Sequence, residues 1–100
     1  MNEAVFHPSA RAELDESAIF YESRLNGLGE RFVVSVEEAV ERIADSPAAG
    51  APFSGEYRKR LVAGFPFSVI YRVWEDHVFI VAVAHQHRRP VYWRRRKDHR

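Results

Sequence analysis

Apolar side chains recur every three or four residues through most of the first half of the chain, which is the spacing of one helical face. The first series predicts a helix that starts after Ser9, whose hydroxyl can cap the first turn. Glu13 and Asp15 would then lie near the positive end of the helix dipole. The apolar face of this helix contains Ala10, Leu14, Ala18, Tyr21 and Leu25.

A second helix is predicted over residues 30–44. Its apolar face contains Phe32, Val36, Ala39, Val40 and Ile43. The short segment 26–29 between the helices has the glycines typical of a helix C-terminus, so the two helices should form an antiparallel hairpin. Residues 45–47 should end the second helix because they include Pro47, and residues 48–55 are predicted to be a loop.

In the second half of the chain the apolar period changes to two, which indicates β-strands. Strands are predicted at residues 1–6, 57–62, 67–74 and 77–85. The last three follow one another closely, with a turn at Glu75 and Asp76, and should pair antiparallel. The predicted order is β-α-α-β-β-β. This is an α+β fold in which residues 1–100 form one domain, with a helical hairpin packed on one face of an antiparallel sheet and a groove on the other.

The composition excludes several classes of protein. The chain has no cysteine, so neither a disulfide nor a thiolate metal site can stabilise it. His85 and His87 are spaced like a metal-binding pair, but no third ligand accompanies them, and we expect no metal and no cofactor. Residues 1–6 lack the features of a signal peptide, and no apolar run approaches the about 20 residues of a membrane span. A cytoplasmic protein without membrane contact is therefore expected.

The formal net charge of +1 conceals a strong asymmetry. Residues 1–56 carry four Arg against eleven acidic residues, whereas residues 57–100 carry eleven Lys and Arg against three acidic residues. Seven of these eleven cations fall between Arg88 and Arg100. Such a division predicts an acidic or polyanionic partner on one side of the molecule. The alternative is a solvated basic tail that only aids solubility.

Seven short motifs, in this order and spacing, resemble the ParE/RelE superfamily of bacterial toxins along nearly the whole chain, with the closer likeness to ParE. They are Phe6-His7-Pro8-x-Ala10-x-x-Glu13-Leu14, Phe20-Tyr21-Glu22, Gly27-Leu28-Gly29-x-x-Phe32, Pro47-x-x-Gly50, Arg58, Phe65-Pro66-Phe67-x-Val69-Ile70-Tyr71 and His85-x-x-Arg88-x-Pro90-x-Tyr92-Trp93. The resemblance implies the toxin of a type II toxin–antitoxin system. RelE-like members cleave mRNA in the ribosome, whereas ParE-like members poison DNA gyrase without cutting DNA themselves.

The resemblance also implies a cognate antitoxin from the same operon, whose C-terminal segment wraps around the toxin. The basic half of the chain predicts that this segment, from a ParD-like or another antitoxin, is acidic and folds on binding. Its helix would lie beside the helical hairpin, and an extended stretch would add to an open edge of the sheet.

A ribonuclease site is one alternative that the resemblance offers. Cleavage by the 2′-OH needs a base, an acid and a cation that stabilises the phosphorane. The corresponding candidates are Arg58, Arg60, His85 and Tyr92. The RelE-like enzymes carry a further Arg where this chain has Ser68, which cannot stabilise that charge, and Arg72 lies about 13 Å further along the strand. A second scheme, with Glu56 as base and His85 as acid, is a weaker alternative.

The missing Arg favours the ParE-like branch, so we expect a toxin that binds its target, DNA gyrase rather than the ribosome, and we assign no catalytic residue. A non-toxic basic binding module is the remaining alternative. The expected target-binding surface consists of Arg58, Arg60, Arg88, Arg89, Tyr92, Trp93, Arg94, Arg95 and Arg96. Trp93 should pack on the sheet, while the arginines contact phosphates. Truncation after Trp93 should abolish toxicity and leave the fold, because the five basic residues removed are expected to be solvated.

Overall fold

The computed structural model describes residues 2–98. Its elements are β1 (Glu3–Phe6), α1 (Pro8–Arg24), α2 (Leu28–Asp45), a 3-10 helix (Pro47–Ala49), β2 (Ala51–Ser54), β3 (Tyr57–Leu61), β4 (Phe67–Val73) and β5 (His77–His85). The α+β class and the helical hairpin between β1 and the other strands are confirmed. Neither of these two α-helices is long and apolar enough to cross a membrane.

His7, and not Ser9, caps the first turn of α1. The imidazole Nδ1 of His7 accepts a hydrogen bond from the backbone N–H of Ser9 at 3.0 Å. Pro8 fills the first helical position, where no N–H is needed. The first turn of α1 contains no acidic residue, so Glu13 and Asp15 lie too far along the helix for the predicted dipole interaction.

The joint between the helices is closed by the carboxylate of Glu22, which accepts the backbone N–H groups of Gly27 at 2.9 Å and Gly29 at 3.0 Å. Gly27 has a φ of 89°, a left-handed conformation that glycine adopts without strain. A Cβ at Gly29 would lie 2.4 Å from the carbonyl oxygen of Ala18. The two helices therefore approach closely, and α2 begins at Leu28, two residues earlier than predicted.

The sheet has the strand order β1-β5-β4-β3-β2. The β3–β4 and β4–β5 pairs are antiparallel as predicted. β1 pairs with β5 in parallel, and β2, which pairs antiparallel with β3, forms where a loop was predicted. The prediction missed β2 because this short strand is largely exposed and contains Pro52, so it shows no apolar alternation. The direction of β1 depends on pairing Glu3 with the distant His77, which no local pattern records.

The central strands β4 and β5 are covered on both faces. The helices cover one face, here called the helix face, whose core includes Leu14, Phe32, Val36, Val69, Tyr71, Val78 and Ile80. The opposite face, here called the tail face, has a smaller core of Ile70, Phe79, Val81, Ala82 and Trp93. The face that we expected to remain partly open is thus partly covered by residues 88–98, here called the tail.

Candidate functional site

Trp93 holds the tail against the sheet. Its side chain is 1% exposed and packs on Ile70, Phe79 and neighbouring residues of the tail face. Its ring centroid lies 4.6 Å from that of Tyr57 and 6.1 Å from that of Phe53. The prediction that Trp93 packs is confirmed, and a side chain this buried has little surface left for contact with a target.

The carboxylate of Glu13 on α1 anchors the middle of the tail. Its Oε1 accepts hydrogen bonds from Arg96 Nη1 at 3.0 Å and from the backbone N–H of Val83 at 3.1 Å. Its Oε2 accepts the hydroxyl of Tyr92 at 2.7 Å and Arg96 Nη2 at 3.0 Å. Arg96 also donates to the carbonyl of Val81 at 3.0 Å. The Glu13 side chain is only 14% exposed, so water competes little for these charged hydrogen bonds.

Tyr92 is held in the same arrangement. The guanidinium groups of Arg88 and Arg96 lie 3.8 and 5.1 Å from the centroid of its ring. Burial, followed by the hydrogen bond to Glu13, raises the pKa of Tyr92 above its ordinary value. A phenol that already donates its proton to a buried carboxylate is not free to protonate a leaving group. The geometry therefore gives Tyr92 a structural role.

A second anchor fixes the end of the tail. His77, at the start of β5, lies 2.7 Å from Asp76 through Nδ1 and 2.6 Å from Asp98 through Nε2. The side chains of His77 and Asp98 are each 8% exposed. Hydrogen bonds to Asp98 and then to Asp76 raise the pKa of His77, against the opposing effect of burial. Because carboxylates only accept hydrogen bonds, both ring nitrogens donate when His77 is protonated.

These anchors overturn the expectation that the chain after Trp93 is solvated, because Arg96 and Asp98 are half-buried parts of the attachment. The exposed cations of the tail are Arg88, Arg89, Arg94, Arg95 and Lys97. Arg94 also donates to the hydroxyl of Ser54 on β2. The exposed basic surface of the tail therefore lacks the predicted Arg96, includes Lys97, and rests on a fixed support.

A groove of about 320 Å³ lies between the beginning of the tail and the sheet. Its lining includes the aliphatic residues Leu61, Ile70 and Ala84 and the cations Lys59, Arg88 and Arg89. Among the described residues that line the groove none is a carboxylate, but Glu13 Oε2 lies 4.0 Å from Arg88 Nη1 and offsets part of the charge of that one cation. Leu61 is 75% exposed. The groove therefore suits a ligand that combines anionic groups with an apolar one.

Arg58 and Arg60 do not belong to this surface. In the β3–β4 register they pair with residues whose side chains lie in the helix-face core, so both arginines point to the helix face. The Nη1 of Arg58 donates to the carbonyls of Ala48 at 3.1 Å and Gly50 at 2.7 Å. The predicted single basic surface is wrong, because the two-residue period of β3 puts Lys59 on the tail face instead.

Tyr71 binds the same segment of backbone as Arg58, residues 47–50. Its hydroxyl donates to the carbonyl of Pro47 at 2.6 Å and accepts the N–H of Gly50 at 3.1 Å. A Cβ at Gly50 would lie 2.0 Å from that hydroxyl. Three of the motifs singled out in the sequence, those of Pro47, Arg58 and Tyr71, thus form one structural unit that secures the chain before β2.

The four nuclease candidates do not converge. Arg58 and Arg60 face the helices, and Tyr92 is bonded to α1. His85 lines the groove, but its Nδ1 accepts the backbone N–H of His87 at 3.0 Å. Ser68 also lines the groove and brings no charge to it.

The alternative pair of Glu56 and His85 is separated by most of the sheet. Glu56 forms an ion pair with Arg72 near the start of β3, whereas His85 ends β5 and pairs with Phe67. Phe67 and Arg72 are five residues apart on β4, about 17 Å at the usual rise. No group of three or more possible metal ligands occurs within residues 2–98.

Sequence reasoning missed three residues of the site: Glu13, His77 and Asp98. Glu13 stood in the first family motif, and that position was a signal of a role beyond the helix dipole. His77 and Asp98 are 21 residues apart, and neither belongs to a motif that would connect them.

Fold and site together define a small α+β domain whose basic tail is docked on the sheet opposite a helical hairpin. Over residues 4–90 the chain matches the family described as "ParE toxin of type II toxin-antitoxin system, parDE", and it belongs to this family. A solved chain titled "Chromosomal ParDE TA system from P. aeruginosa" has the same fold, with a TM-score of 0.72 and 22% identity over 85% of this chain and 96% of that one. No curated protein sequence matches. The resemblance to ParE is confirmed.

Proposed function

We propose that this ParE-family chain is a growth-inhibiting toxin that binds DNA gyrase through its tail and groove and is neutralised by a cognate antitoxin. Family membership supports the toxin class. The observation that carries the proposal is a set of cations left exposed by an otherwise anchored tail, which includes Arg89, Arg94, Arg95 and Lys97. Cations on a fixed support lose less conformational freedom when they contact a polyanionic surface. Such a toxin acts in the cytoplasm, together with gyrase.

The groove favours binding over RNA cleavage. General acid–base cleavage needs two positioned groups that exchange protons. His85 lies in the lining of the groove, and Tyr92, the other candidate, donates its proton to Glu13. A cationic groove with a single proton-transfer group can bind a phosphate of RNA without cleaving the RNA. Replacing His85 by Gln should therefore leave toxicity in place.

The antitoxin would contribute an acidic segment to the groove, where Arg88 has Glu13 at 4.0 Å but none of the described lining residues is acidic. On the helical hairpin, Ile19, Phe20 and Leu25 are more than half exposed. An amphipathic antitoxin helix would cover them. At the far edge of the sheet, β2 has one free side where an extended stretch of the antitoxin would pair.

The function is tested with the purified chain and with its induction in cells. The chain should inhibit DNA supercoiling by gyrase and trap cleaved DNA, and its induction should break chromosomal DNA and trigger the SOS response. An immediate stop of translation with cut mRNAs would instead support the ribonuclease alternative. An absence of any growth arrest would contradict both toxin hypotheses and leave the non-toxic binding module.

A matched pair of variants tests the surface. Combining Arg89→Ala, Arg94→Ala and Arg95→Ala should weaken gyrase inhibition about tenfold or more, since several phosphate or carboxylate contacts are lost. The control combines Arg24→Ala, Arg31→Ala and Arg42→Ala, which removes the same charge from exposed positions of the helices. The control should change inhibition less than about twofold. Equal losses in both variants would show that net charge, and not the tail, is responsible.

A further inference from the structure

The Glu13 carboxylate lies where the outer edge of β5 loses its strand partner. The parallel pairing with β1 ends at Ile80, and β5 continues beyond it. Beyond this point the carbonyl of Val81 accepts a hydrogen bond from Arg96 at 3.0 Å. The N–H of Val83 donates a hydrogen bond to Glu13 at 3.1 Å. The two side chains thus replace a strand along this edge and tie the tail to it.

Arg96 links the tail to two rigid elements, α1 and β5. It forms a two-bond contact with Glu13 on α1 and a third hydrogen bond to Val81 on β5. A guanidinium–carboxylate contact with two parallel bonds has a narrow preferred geometry. Tyr92, four residues earlier in the tail, also donates to Glu13. The path between Tyr92 and Arg96 is therefore fixed at both ends by one carboxylate.

The local backbone does not set this path by itself. Val91 has a φ of 56°, in the left-handed region that β-branched residues avoid. Such strain persists only where surrounding contacts hold the chain in place. The contacts available are the burial of Trp93 and the hydrogen bonds to Glu13, which flank Val91 on its C-terminal side.

We infer that Glu13 is a positioning residue whose carboxylate sets the direction of the tail and thereby arranges Arg89, Arg94 and Arg95 for their target. The inference rests on the proposed function for what these arginines bind, but not for the docking of the tail. Both oxygens of Glu13 are occupied within the chain, so Glu13 acts through the tail and not by touching the partner.

The docking is tested in the full chain with Trp74→Phe, which leaves Trp93 as its single tryptophan. In this background Glu13→Gln removes the charge at nearly constant volume. Acrylamide quenching of Trp93 fluorescence should rise several-fold, with a red shift of the emission, while the far-UV circular dichroism is retained. Glu16→Gln, the same change at an exposed position of α1, is the control and should not alter quenching. Unchanged quenching in Glu13→Gln would overturn the inference.

A second variant removes the contact between Glu13 and Arg96 by changing the residue on the tail. Arg96→Gln should reproduce the increase in quenching, and the double variant should be little worse than either single variant, because all three remove one shared interaction. Fully additive effects would show that Glu13 and Arg96 act separately and would contradict the inference. If Glu13→Gln does not fold, quenching in Arg96→Gln decides the question.

Gyrase inhibition supplies the functional measurement. Glu13→Gln should weaken inhibition about tenfold although every exposed cation is retained, since one charged hydrogen-bond network has this order of effect. If the unmodified chain does not inhibit gyrase, the proposed function fails and the fluorescence result still decides the docking. If the unmodified chain inhibits and an undocked Glu13→Gln inhibits equally well, the positioning role is wrong and the proposed function stands.

Discussion

The two faces of the sheet are covered by different physical means. On the helix face, α1 and α2 bury a continuous apolar core that includes Leu14 and Phe32. On the tail face, an irregular segment buries one large side chain, Trp93, and is otherwise attached through the charged anchors at Glu13 and His77. One sheet thus carries a helical layer on one side and a docked tail on the other.

The difference separates stability from function. Apolar burial is non-directional and does not depend on the protonation of any group. Charged hydrogen bonds are directional, so they can aim a segment, but their contribution changes with pH. The helix face therefore stabilises the fold, and the tail face presents a surface whose geometry depends on a few contacts. Variants on the two faces should therefore differ in what they change, stability on the helix face and target binding on the tail face.

Phe32→Ala should have the largest effect on stability. Phe32 is fully buried, with ring centroids of Tyr21, Phe65 and Phe67 between 4.9 and 5.2 Å away. Truncation leaves a cavity in the helix-face core and should lower the free energy of unfolding by about 3–5 kcal/mol. Urea denaturation followed by circular dichroism measures this loss. A loss below about 1 kcal/mol would show that the helix face is not the main core.

Truncation after Trp93 should lower the free energy of unfolding by about 1.5–3 kcal/mol, because it removes Arg96 and Asp98 and leaves Glu13 with the more distant Arg88, at 4.0 Å, in place of its two-bond contact to Arg96. Combining Arg94→Ala with Arg95→Ala keeps both anchors and should cost less than about 0.5 kcal/mol. Both variants should lose gyrase inhibition. Supercoiling assays check the shared loss of inhibition, whereas thermal unfolding distinguishes the two variants, and equal stability would contradict the anchoring of the tail.

The anchor at His77 should make the attachment of the tail sensitive to pH. Asp98 and Asp76 raise the pKa of His77 above 6.5 in the folded chain. The stabilisation is therefore fully present below pH 6.5 and is lost as the pH rises through the raised pKa of the folded state. Stability measured from about pH 6 to 9 should fall by about 1 kcal/mol from this contact. The same series with Asp98→Asn should show a smaller slope, and identical slopes would contradict the prediction.

The smallest effect compares two neighbouring cations on opposite faces. Lys59→Ala removes a cation from the lining of the groove and should weaken gyrase binding a few-fold, more at low salt than at high salt. Arg60→Ala removes a cation from the helix face and should leave binding within about twofold. Affinities measured at two salt concentrations test the pair. A larger effect at Arg60 would show that gyrase binds the helix face, contrary to the proposal.

Much of the fold could be predicted because its signals are local. The apolar spacing in α1 and α2 and the alternation in β4 and β5 are properties of neighbouring residues. β2 and the parallel pairing of β1 could not be predicted in this way. β2 is too short and exposed to show alternation, and the β1–β5 pairing joins residues that are far apart in the sequence, such as Glu3 and His77.

The candidate site was predicted less completely than the fold. The exposed cations Arg89, Arg94 and Arg95 and the packing of Trp93 were anticipated from the run of basic and aromatic residues. The placement of Arg58 beside them was not correct. The two-residue period of a strand shows that Arg58 and Arg60 point to the same face of the sheet, but it does not show whether the tail covers that face or the other one.

Both α-helices, four of the five strands, the α+β class, the charge division and the ParE family follow from the sequence alone, since each depends on residue types at short spacings or on ordered motifs. Only the tertiary structure decided that the tail is docked and how it is aimed. Glu13 and Tyr92 are 79 residues apart, and His77 and Asp98 are 21 residues apart. Such contacts exist because the sheet and α1 bring distant segments together, and their strength depends on burial that no local pattern records.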